Sequence, residues 1–433
     1  GESPAECRSS QPNFHDGLAR TQGTQPASAD MGQTQLSLLE GPNVGRLSGV
    51  TSFEDDIRQF AWNGRPTDVE TTEADCDGHR VRVKTFTNEF WTSKQRAGHS
   101  LHEISYRACF KPQLVNFFVQ RLTEPGDLVY DPFLGRGTTV VEAALLDRAA
   151  TGCDVNPLSR VLTKPRLAPP TLAQVSERLR ALDWTSCDSY PEDLTVFFHP
   201  ETLNRICALR AYLRKLHAEG AMDEVDEWIE MVAVNRLTGP SPGFFSVYTL
   251  PPNQAVSIGS QRKINARREQ TPLVRDVVQL IIKKSKSLLR DCGEATRGQL
   301  AAHAAQTQLL VQASSSTPQI RSASVRLVVT SPPFLDVVNY ASDNWLRCWF
   351  NSIDLASVEV RLTMARTVEA WSDVMGGVFQ ELYRVTRPDG WVAFEVGEVR
   401  NRKLLLEEVV VPLGLAAGFG CEGVVVNQQD FTN

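Results

Sequence analysis

One stretch, from Lys111 to Val155, constrains the fold more than any other part of the chain. Apolar residues in KPQLVNFFVQRL recur with helical spacing behind an early proline. GDLVYDPF is typical of a short buried strand, TTVVEAALLDRA of a helix and ATGCDV of a second strand. This order implies two parallel strands joined by a right-handed crossover. The sequence therefore predicts a Rossmann-like α/β domain with a mainly parallel, doubly wound sheet.

The other strands of this sheet are predicted much later in the chain. They are TQLLVQAS (307–314), VRLVVTS (325–331), GWVAFEVGE (390–398) and the final GVVV (423–426). A helix before 390–398 is predicted to end at a Pro-Asp-Gly turn. Roughly 140 residues with largely helical spacing separate the second strand from TQLLVQAS, which is far more than a crossover needs. We therefore expect a large, mostly helical insertion.

These patterns divide the chain into five segments. Residues 1–50 are rich in Ser, Gln, Gly and Pro without hydrophobic periodicity, and we expect them to be disordered or loosely attached. An N-terminal extension (51–100), the first half of the α/β domain (101–168), the insertion (169–305) and the second half (306–433) follow. Because the chain does not begin with Met and its last strand lacks a hairpin partner, we expect both ends to be trimmed.

Composition excludes several classes of protein. Hydrophobic residues make up 42% and charged residues 22%, as in soluble globular proteins, and no apolar run is long enough for a membrane span or a signal peptide. The nine cysteines are scattered, odd in number and without a C-x-x-C pair. This pattern disfavours a disulfide framework or a zinc site, so we expect no metal, no membrane and a cytoplasmic location.

Positive charge is local rather than general. The net charge is −6, yet Gln261–Arg297 holds ten Lys or Arg against four Asp or Glu. A nucleic-acid contact would need such a patch, although a solvated helix face is the better explanation on charge alone. The candidate DNA-binding residues are Arg262, Lys263, Arg267, Arg268, Lys283, Lys284 and Lys286.

A glycine-rich loop follows the first predicted strand. In Asp131-Pro-Phe-Leu-Gly-Arg-Gly-Thr-Thr139, Gly135 and Gly137 permit a tight turn, and the following helix offers free N–H groups to a ligand. The dinucleotide fingerprint is broken, because Val140 stands where its third glycine belongs. No Gly-Lys-Ser/Thr follows either, which disfavours a nucleoside-triphosphate loop.

An acid ends the second predicted strand. Asp154 lies about 20 residues beyond the glycines, where a carboxylate can accept the ribose hydroxyls of an adenosine. A helix cap for the following NPLSRVL is an equal alternative from local sequence alone. Together, the loop and the acid predict an adenosine-containing cofactor. The broken glycine pattern and the Asp131-Pro132-Phe133 start favour S-adenosylmethionine over NAD.

A rigid turn, Ser331-Pro332-Pro333-Phe334, ends the apolar strand VRLVVT. Proline fixes φ and donates no hydrogen bond, and ligands of open α/β sheets bind beyond the carboxyl ends of the strands. In isolation this would be an ordinary strand-to-loop turn. Behind the glycine loop and Asp154, it predicts a platform with fixed hydrogen-bond acceptors.

DPFLGRGTT, GCDVNP and TSPPF together resemble the DNA methyltransferases that modify the exocyclic amine of cytosine (N4) or adenine (N6). The resemblance implies a class I methyltransferase fold, S-adenosylmethionine as cofactor, double-stranded DNA as substrate and a target-recognition role for the insertion. It also implies catalytic roles for Ser331, Pro332, Pro333 and Phe334. The cofactor-binding residues that it implies are Phe110, Lys111, Pro112, Asp131, Pro132, Phe133, Gly135, Gly137, Thr138, Thr139, Asp154, Asn156 and Ser314.

The chemistry of the target explains the turn. A flipped base would present its amine to the Ser331 hydroxyl and the Pro332 carbonyl, with Phe334 stacked on the ring. Serine at the first position is, within the family, more often associated with cytosine N4, and adenine N6 stays open. Asp336, Asn339, Tyr340, Glu395 and Glu398 are further pocket candidates.

Other functions remain possible from sequence. An RNA or protein-glutamine N-methyltransferase uses a similar turn, usually with Asn or Asp in first position, and a non-catalytic DNA-binding subunit could keep the fold. We expect a prokaryotic enzyme of a restriction–modification or related defence system, associated with the nucleoid through DNA, with cognate restriction or defence proteins as partners.

Overall fold

A computed structural model describes residues 33–40, 52–76, 79–92, 98–107, 109–185, 189–249, 255–333, 340–361, 365, 367–397 and 407–428. The strands are β1 Gln33–Glu40, β2 Ala61–Trp62, β3 Arg65–Pro66, β4 Asp68–Cys76, β5 His79–Asn88, β6 Leu128–Asp131, β7 Ala149–Asp154, β8 Gln308–Val311, β9 Val325–Thr330, β10 Thr386–Gly397 and β11 Gly420–Gln428. The helices are α1 Phe53–Gln59, α2 Pro112–Leu122, α3 Thr138–Leu145, α4 Leu158–Leu167, α5 Leu172–Ala181, α6 Pro200–Glu219, α7 Glu224–Val234, α8 Ile258–Arg267, α9 Val277–Leu288, α10 Glu294–Ala304, α11 Tyr340–Phe350, α12 Leu355–Arg361, α13 Val368–Val385 and α14 Glu407–Ala417.

Nine of the described strands form one sheet in the order β4-β5-β11-β1-β10-β9-β6-β7-β8. Five of them, β8-β7-β6-β9-β10, are parallel. Within the α/β domain this is the order third, second, first, fourth, fifth, which is the doubly wound pattern of Rossmann-like folds. The predicted α/β fold class is confirmed. Because the order reverses between β6 and β9, a ligand crevice is expected at their carboxyl ends.

Strand β1 lies within residues 1–50, which the sequence predicts to be disordered or loosely attached. Residues 33–40 lie between β10 and β11 and pair antiparallel with both, with Leu36 opposite Glu395 on one side and Val425 on the other. The missing antiparallel partner of the final strand is therefore supplied from the N-terminal side of the chain. The composition of residues 33–40 does not identify them as a strand. They are held in the sheet by hydrogen bonds to β10 and β11, which are distant in sequence.

The N-terminal extension also joins the sheet. Strands β4 and β5 pair antiparallel from Asp68↔Thr87 to Cys76↔His79, and β5 then runs parallel to β11, with Phe86 opposite Val425. This hairpin lengthens the sheet at the edge farthest from β8. The extension is thus part of the same layered domain.

The end of α13 differs from the prediction of a Pro-Asp-Gly turn. The helix ends at Val385, and β10 already begins at Thr386, which pairs with Val325. The register with β9 shifts between Thr386 and Trp391, so the Pro-Asp-Gly residues form an irregularity inside the strand. A bulge absorbs such residues without ending the pairing.

The helical insertion packs closely on the first half of the α/β domain. Leu162 of α4, Val175 of α5, Trp228 of α7 and Ile281 of α9 are fully buried in one hydrophobic cluster. The indole Nε1 of Trp228 donates to the Ser285 hydroxyl at 3.0 Å, which satisfies a polar atom at the centre of that cluster. The insertion is therefore held rigidly against the sheet-bearing core.

Two further observations concern the described part of the chain. None of its helices is long and apolar enough to cross a membrane. It also contains no group of three or more His, Cys, Asp or Glu side chains arranged to hold a metal ion.

Candidate active site

A cleft opens at the carboxyl ends of β6, β7, β8 and β9. Its volume, which includes the open mouth, is about 970 Å³. Its lining residues come from the glycine loop, the ends of three strands, the segment before α2, and α13. They are Tyr106, Cys109, Phe110, Phe133, Leu134, Gly135, Arg136, Thr138, Asp154, Val155, Asn156, Ala313, Ser314, Ser315, Ser331, Pro333, Val374 and Val378. The cleft thus lies at the crossover point that the strand order marks as a ligand site.

The glycine loop has no room for side chains at its second glycine. Gly137 has a φ of 77°, and a Cβ there would lie 2.2 Å from the Thr163 hydroxyl of α4. The residue therefore needs both the left-handed conformation and the absence of a side chain. It directly precedes α3, so this close approach fixes where the free N–H groups of the helix begin.

Asp154 is held by the backbone of two neighbouring loops. Its Oδ2 accepts the Gly135 N–H at 2.8 Å, and its Oδ1 accepts the Asn156 N–H at 2.9 Å. Burial raises the pKa of this carboxyl, and these backbone donors oppose the rise. From sequence, Asp154 is also a candidate for capping the helix that follows. That hydrogen bond is made by Asn156 instead, whose Oδ1 accepts the N–H of Leu158, the first residue of α4. Asp154 therefore connects the glycine loop to the end of β7 at the cleft wall.

The cleft also presents a buried polar atom without a protein partner. The Nδ2 of Asn156 is buried and has no hydrogen-bond partner among the described residues, and Asn156 lines the cleft. A buried donor of this kind is costly unless a ligand or water satisfies it. Together with the Asp154 carboxylate and the apolar walls, it fits a nucleoside-containing ligand such as S-adenosylmethionine.

Several predicted cofactor-binding residues hold the glycine loop against neighbouring segments. The Asp131 Oδ1 accepts the Thr330 hydroxyl at 2.6 Å and the Phe133 N–H at 3.1 Å. Burial raises the pKa of Asp131 to about 7. The Thr139 hydroxyl donates to the Val329 carbonyl at 2.9 Å. Asp131 and Thr139 thus tie the glycine loop to β9, and the Pro132 carbonyl accepts the Ser314 hydroxyl.

The predicted catalytic turn borders the same cleft. Ser331 and Pro333 line it, and Pro332 is buried between them. The Trp371 indole Nε1 donates to the Pro333 carbonyl at 3.0 Å and thereby fixes the second proline. Phe334, Asp336 and Asn339 lie outside the described residues, so their predicted roles are not addressed by the structure.

Glu395 is an acid that contacts the turn. Phe394 of β10 pairs with Thr330 of β9, so Glu395 and Ser331 follow at adjacent positions of neighbouring parallel strands. Their side chains are hydrogen-bonded, and burial raises the pKa of Glu395 to about 7 while this bond opposes the rise. The side chain of Tyr340 at the start of α11 and the whole of Glu398 lie outside what the structure describes.

The segment before α2 closes one side of the cleft. Phe110 lines the cleft, whereas Lys111 and Pro112 stand at the helix start, Pro112 being its first residue. The Arg136 guanidinium donates to the carbonyls of His102 (3.2 Å), Ile104 (3.0 Å) and Phe110 (3.4 Å). Arg136 is 7% exposed. It therefore binds this segment, the strap (98–110), to the glycine loop.

Sequence patterns did not point to several lining residues. Tyr106 and Cys109 belong to the strap, and Val374 and Val378 lie one turn apart on α13. Val374 is 38% exposed, whereas Trp371 and Val378, one turn to either side on the same helix, are buried. An exposed apolar side chain beside buried ones indicates a ligand contact. This signal requires the solvent exposure of each side chain, which the sequence alone does not provide.

Two serines follow shortly after β8, which ends at Val311. Ser314 and Ser315 both line the cleft. The Ser314 hydroxyl already donates to the Pro132 carbonyl, whereas Ser315 is exposed. Ser315 is thus the more available of the two for a ligand.

The predicted DNA-binding residues lie in different surroundings. Lys263 and Arg267 of α8 are exposed, and Arg262 pairs with Asp193 at 2.9 Å. The Arg268 guanidinium lies 3.8 Å from the centre of the Tyr248 ring.

The lysines of α9 divide in the same way. Lys284 donates to the Glu103 carbonyl at 2.5 Å, and burial lowers its pKa to about 8. Lys283 and Lys286 are exposed. Lys284 thus has a structural role, whereas Lys283 and Lys286 are accessible to a partner.

Comparison with known proteins agrees with these motifs. Residues 57–159 match the family model for N6/N4 DNA methylases, described as DNA methylase. This match includes the glycine loop and Asp154 and ends before the Ser331 turn.

Three curated proteins are similar over short regions. They are the Type II methyltransferases M.MjaII of Methanocaldococcus jannaschii (35% identical over 77 residues, 18% of this chain and 14% of the relative), M.MvaI of Kocuria varians (28% over 111 residues, 25% and 23%) and M.BsoBI of Geobacillus stearothermophilus (26% over 141 residues, 31% and 28%). The chain thus spans less than a third of the length of each of these relatives.

Among solved structures, the rRNA methyltransferase aviRa of Streptomyces viridochromogenes is similar at 12% identity with a TM-score of 0.29, over 70% of this chain and 80% of that one. The fold assignment rests on the sheet topology rather than on this likeness. The family model and the three curated relatives together confirm the resemblance of the chain to the amino-methylating DNA methyltransferases.

Proposed function

We propose that this chain is a DNA methyltransferase that transfers a methyl group from S-adenosylmethionine to an exocyclic amine of a flipped base, with cytosine N4 as the favoured target. The observation that supports this most is that Asp154 and Ser331 line one cleft, although 177 residues separate them in sequence. One side chain suits a nucleoside and the other an amine. The family match over residues 57–159 agrees with this chemistry.

The residues of the cleft suit the cofactor. The Asp154 carboxylate has lone pairs left for ribose hydroxyls beside its two backbone donors, and Asn156 offers its unpartnered Nδ2. Phe110 and Phe133 supply apolar walls. When bound, S-adenosylmethionine supplies an electrophilic methyl group for direct displacement, which needs no covalent enzyme intermediate.

The chain's own part in the reaction is to hold the amine. The Ser331 hydroxyl donates its hydrogen to Glu395, so the lone pairs of its oxygen are left to accept an amine hydrogen from the cleft. The Pro332 carbonyl is proposed to accept the second hydrogen. Two fixed acceptors favour a pyramidal nitrogen whose lone pair points at the methyl group, and fixed acceptors cost no reorganisation during the reaction.

Glu395 also offers a place for the proton that the amine loses. The proton can pass through the Ser331 hydroxyl to the Glu395 carboxylate, whose pKa of about 7 suits acceptance near neutral pH. No exposed acid is needed at the mouth of the cleft for this step. Glu395 is accordingly proposed as the proton acceptor that acts through Ser331.

The target and setting follow from the same proposal. Serine before the prolines favours cytosine N4, and adenine N6 is the alternative. An amine inside a duplex is unreachable, so the base must leave the stack. The partners are double-stranded DNA and cognate restriction or defence proteins, in the prokaryotic cytoplasm at the nucleoid.

Base-resolved sequencing of plasmid DNA that is expressed with the chain tests the proposal. We expect methylated cytosine or adenine amines at a defined sequence, and unmodified DNA with Ser331→Ala. Binding of labelled S-adenosylmethionine by both proteins separates loss of chemistry from loss of cofactor. Folded protein that binds no cofactor would support a non-catalytic subunit, and methylation of RNA alone would identify the substrate as RNA.

A further inference from the structure

The turn between α8 and α9 exposes two adjacent apolar side chains. Leu273 is 61% and Val274 is 50% exposed, and they are the only neighbouring pair among the large exposed hydrophobic residues of the described chain. Exposed apolar pairs in water are unfavourable and commonly mark a contact surface. The pair is therefore a candidate contact for a partner.

Both ends of this turn are fixed to the protein. The Gln270 side-chain amide donates to the Tyr248 carbonyl at 2.9 Å and to the Asn265 Oδ1 at 2.8 Å. The Arg275 N–H donates to the Thr202 hydroxyl at 2.8 Å. Leu273 and Val274 are thus presented on a braced turn, and little conformational entropy is lost when they bind.

Positive charge predominates in the segment that contains the pair. Residues 258–276 contain five Lys or Arg and two Asp or Glu, a balance of +3 in a chain whose net charge is −6. Lys263, Arg267 and Arg268 make no ion pair with another described residue. A surface of this kind is complementary to the phosphates of nucleic acid.

The basic helix is joined to the catalytic side of the molecule. The Ala255 N–H, just before α8, donates to the Asp343 carbonyl of α11 at 3.1 Å, and the Trp345 indole donates to the Val256 carbonyl at 3.2 Å. The Asp343 carboxylate pairs with Arg107 of the strap that closes the cleft. The start of α8 is thereby connected, through α11, to the strap that borders the cleft.

From these observations we propose that α8 and the turn 268–276 form the duplex-docking surface. Lys263, Arg267 and Arg268 contact phosphates, and Leu273 and Val274 pack against apolar parts of the same duplex. Apolar side chains fill this role in proteins that distort DNA. This inference rests on the proposed function and adds to it the part of the insertion that contacts DNA. Lys284 is not part of this surface, because its ammonium group is bonded to the Glu103 carbonyl.

The phosphate contacts are tested by titrating the full chain into a fluorescein-labelled, mixed-sequence duplex at several salt concentrations. The charge-reversed Lys263→Glu/Arg267→Glu protein should bind at least about tenfold more weakly, and its log–log salt slope should be shallower by about 2, because each phosphate contact contributes about 1. Arg80→Glu/Arg82→Glu, which makes the same charge change on β5 at the far edge of the sheet, is the matched control.

The apolar contacts have a different signature. Leu273→Ser/Val274→Ser should weaken binding about tenfold without changing the salt slope, because two buried aliphatic side chains are lost and no charge is. Val360→Ser on α12, an 88% exposed valine, is the control and should bind as the unmodified chain does. All these residues are at the surface, so circular dichroism should show unchanged folding.

The outcomes separate this inference from the proposed function. Binding by the α8 variants that equals that of their controls would overturn the docking surface, even if plasmid DNA is methylated. Tighter binding of single-stranded RNA than of the duplex would also overturn it. Altered binding by the α8 variants with no methylation by the unmodified chain would support the surface and refute the proposed reaction.

Discussion

The side chains of Ser331 and Glu395 are hydrogen-bonded across two neighbouring parallel strands. Each residue follows one member of the Thr330–Phe394 pair, so the sheet register itself brings the hydroxyl to the carboxyl. Glu395 is 6% exposed, and this burial raises the pKa of its carboxyl to about 7. A serine at the cleft wall is therefore backed by an acid that changes its charge near neutral pH.

The rate of methyl transfer should depend on this titration. Below pH 7 the Glu395 carboxyl holds a proton and cannot accept another, so kcat should fall as the pH decreases, with an apparent pKa of about 7. Glu395→Gln keeps the size and removes the acceptor. We expect it to lower kcat by about 10²-fold or more and to abolish this pH dependence, with unchanged binding of S-adenosylmethionine.

Steady-state kinetics between pH 5.5 and 8.5, with plasmid DNA as substrate, measure the effect. Glu381→Gln is the control. The Glu381 carboxylate also accepts a hydrogen bond from a hydroxyl, that of Thr317, but Glu381 does not line the cleft. A Glu395→Gln enzyme whose profile matches that of the unmodified chain would show that Glu395 takes no proton.

Asp154 should govern affinity for the cofactor. Asp154→Ala removes the proposed ribose acceptor and leaves the N–H groups of Gly135 and Asn156 without their partner. Charged hydrogen bonds contribute about 1.5–3 kcal/mol each, so the Kd for S-adenosylmethionine should rise by at least about tenfold. Isothermal titration calorimetry measures this directly.

A matched control for Asp154 exists elsewhere in the chain. Asp354 accepts the N–H of Ala356 two residues on, in the same local arrangement, but at the start of α12 and away from the cleft. Asp354→Ala should bind the cofactor normally. Equal affinities for Asp154→Ala and Asp354→Ala would remove Asp154 from the cofactor site.

The strands and the glycine loop could be predicted because their signals are local. Each of these features can be recognised from a few consecutive residues. They are the apolar runs of the strands, the pair Gly135 and Gly137, and the acid Asp154 at the end of β7. Strand β1 could not be predicted, because its pairing depends on β10 and β11, which are hundreds of residues away. The strap could not be predicted either. Its position depends on the hydrogen bonds from Arg136 to three of its carbonyls, and these bonds are evident only in the folded structure.

Arg136 should position the strap over the cofactor. Arg136→Lys keeps the charge but loses the planar set of donors that reaches three carbonyls at once. We expect KM for S-adenosylmethionine to rise by about tenfold with little change in kcat, because the strap lines the cleft proposed for the cofactor and contains neither of the proposed amine acceptors. Faster proteolytic cleavage within 98–110 should accompany this change.

The control for Arg136 is Arg148→Lys. Arg148 also binds backbone and hydroxyl oxygens, those of Thr123 at 2.8 and 3.0 Å, but beyond the other end of α3. Its replacement should affect stability alone. If both variants raise KM equally, the effect of Arg136 is a general loss of stability rather than positioning of the strap.

Asp131 should make the folded state less stable as pH rises. Burial raises its pKa from the usual 3.8 to about 7, so between these values the folded protein keeps a proton that the unfolded chain has lost. The free energy of unfolding therefore decreases with rising pH in this window, by up to about 1.4 kcal/mol per pH unit, and levels off above pH 7.

Asp131→Asn tests this directly, because an amide keeps an oxygen for the Thr330 hydroxyl and the Phe133 N–H and never ionises. Urea unfolding at pH 5 and pH 8 should show a smaller decrease in stability for the variant than for the unmodified chain. Glu395 titrates in the same window, so the double variant with Glu395→Gln should flatten the dependence further. A variant with an undiminished decrease would mean that Asp131 is ionised throughout this range.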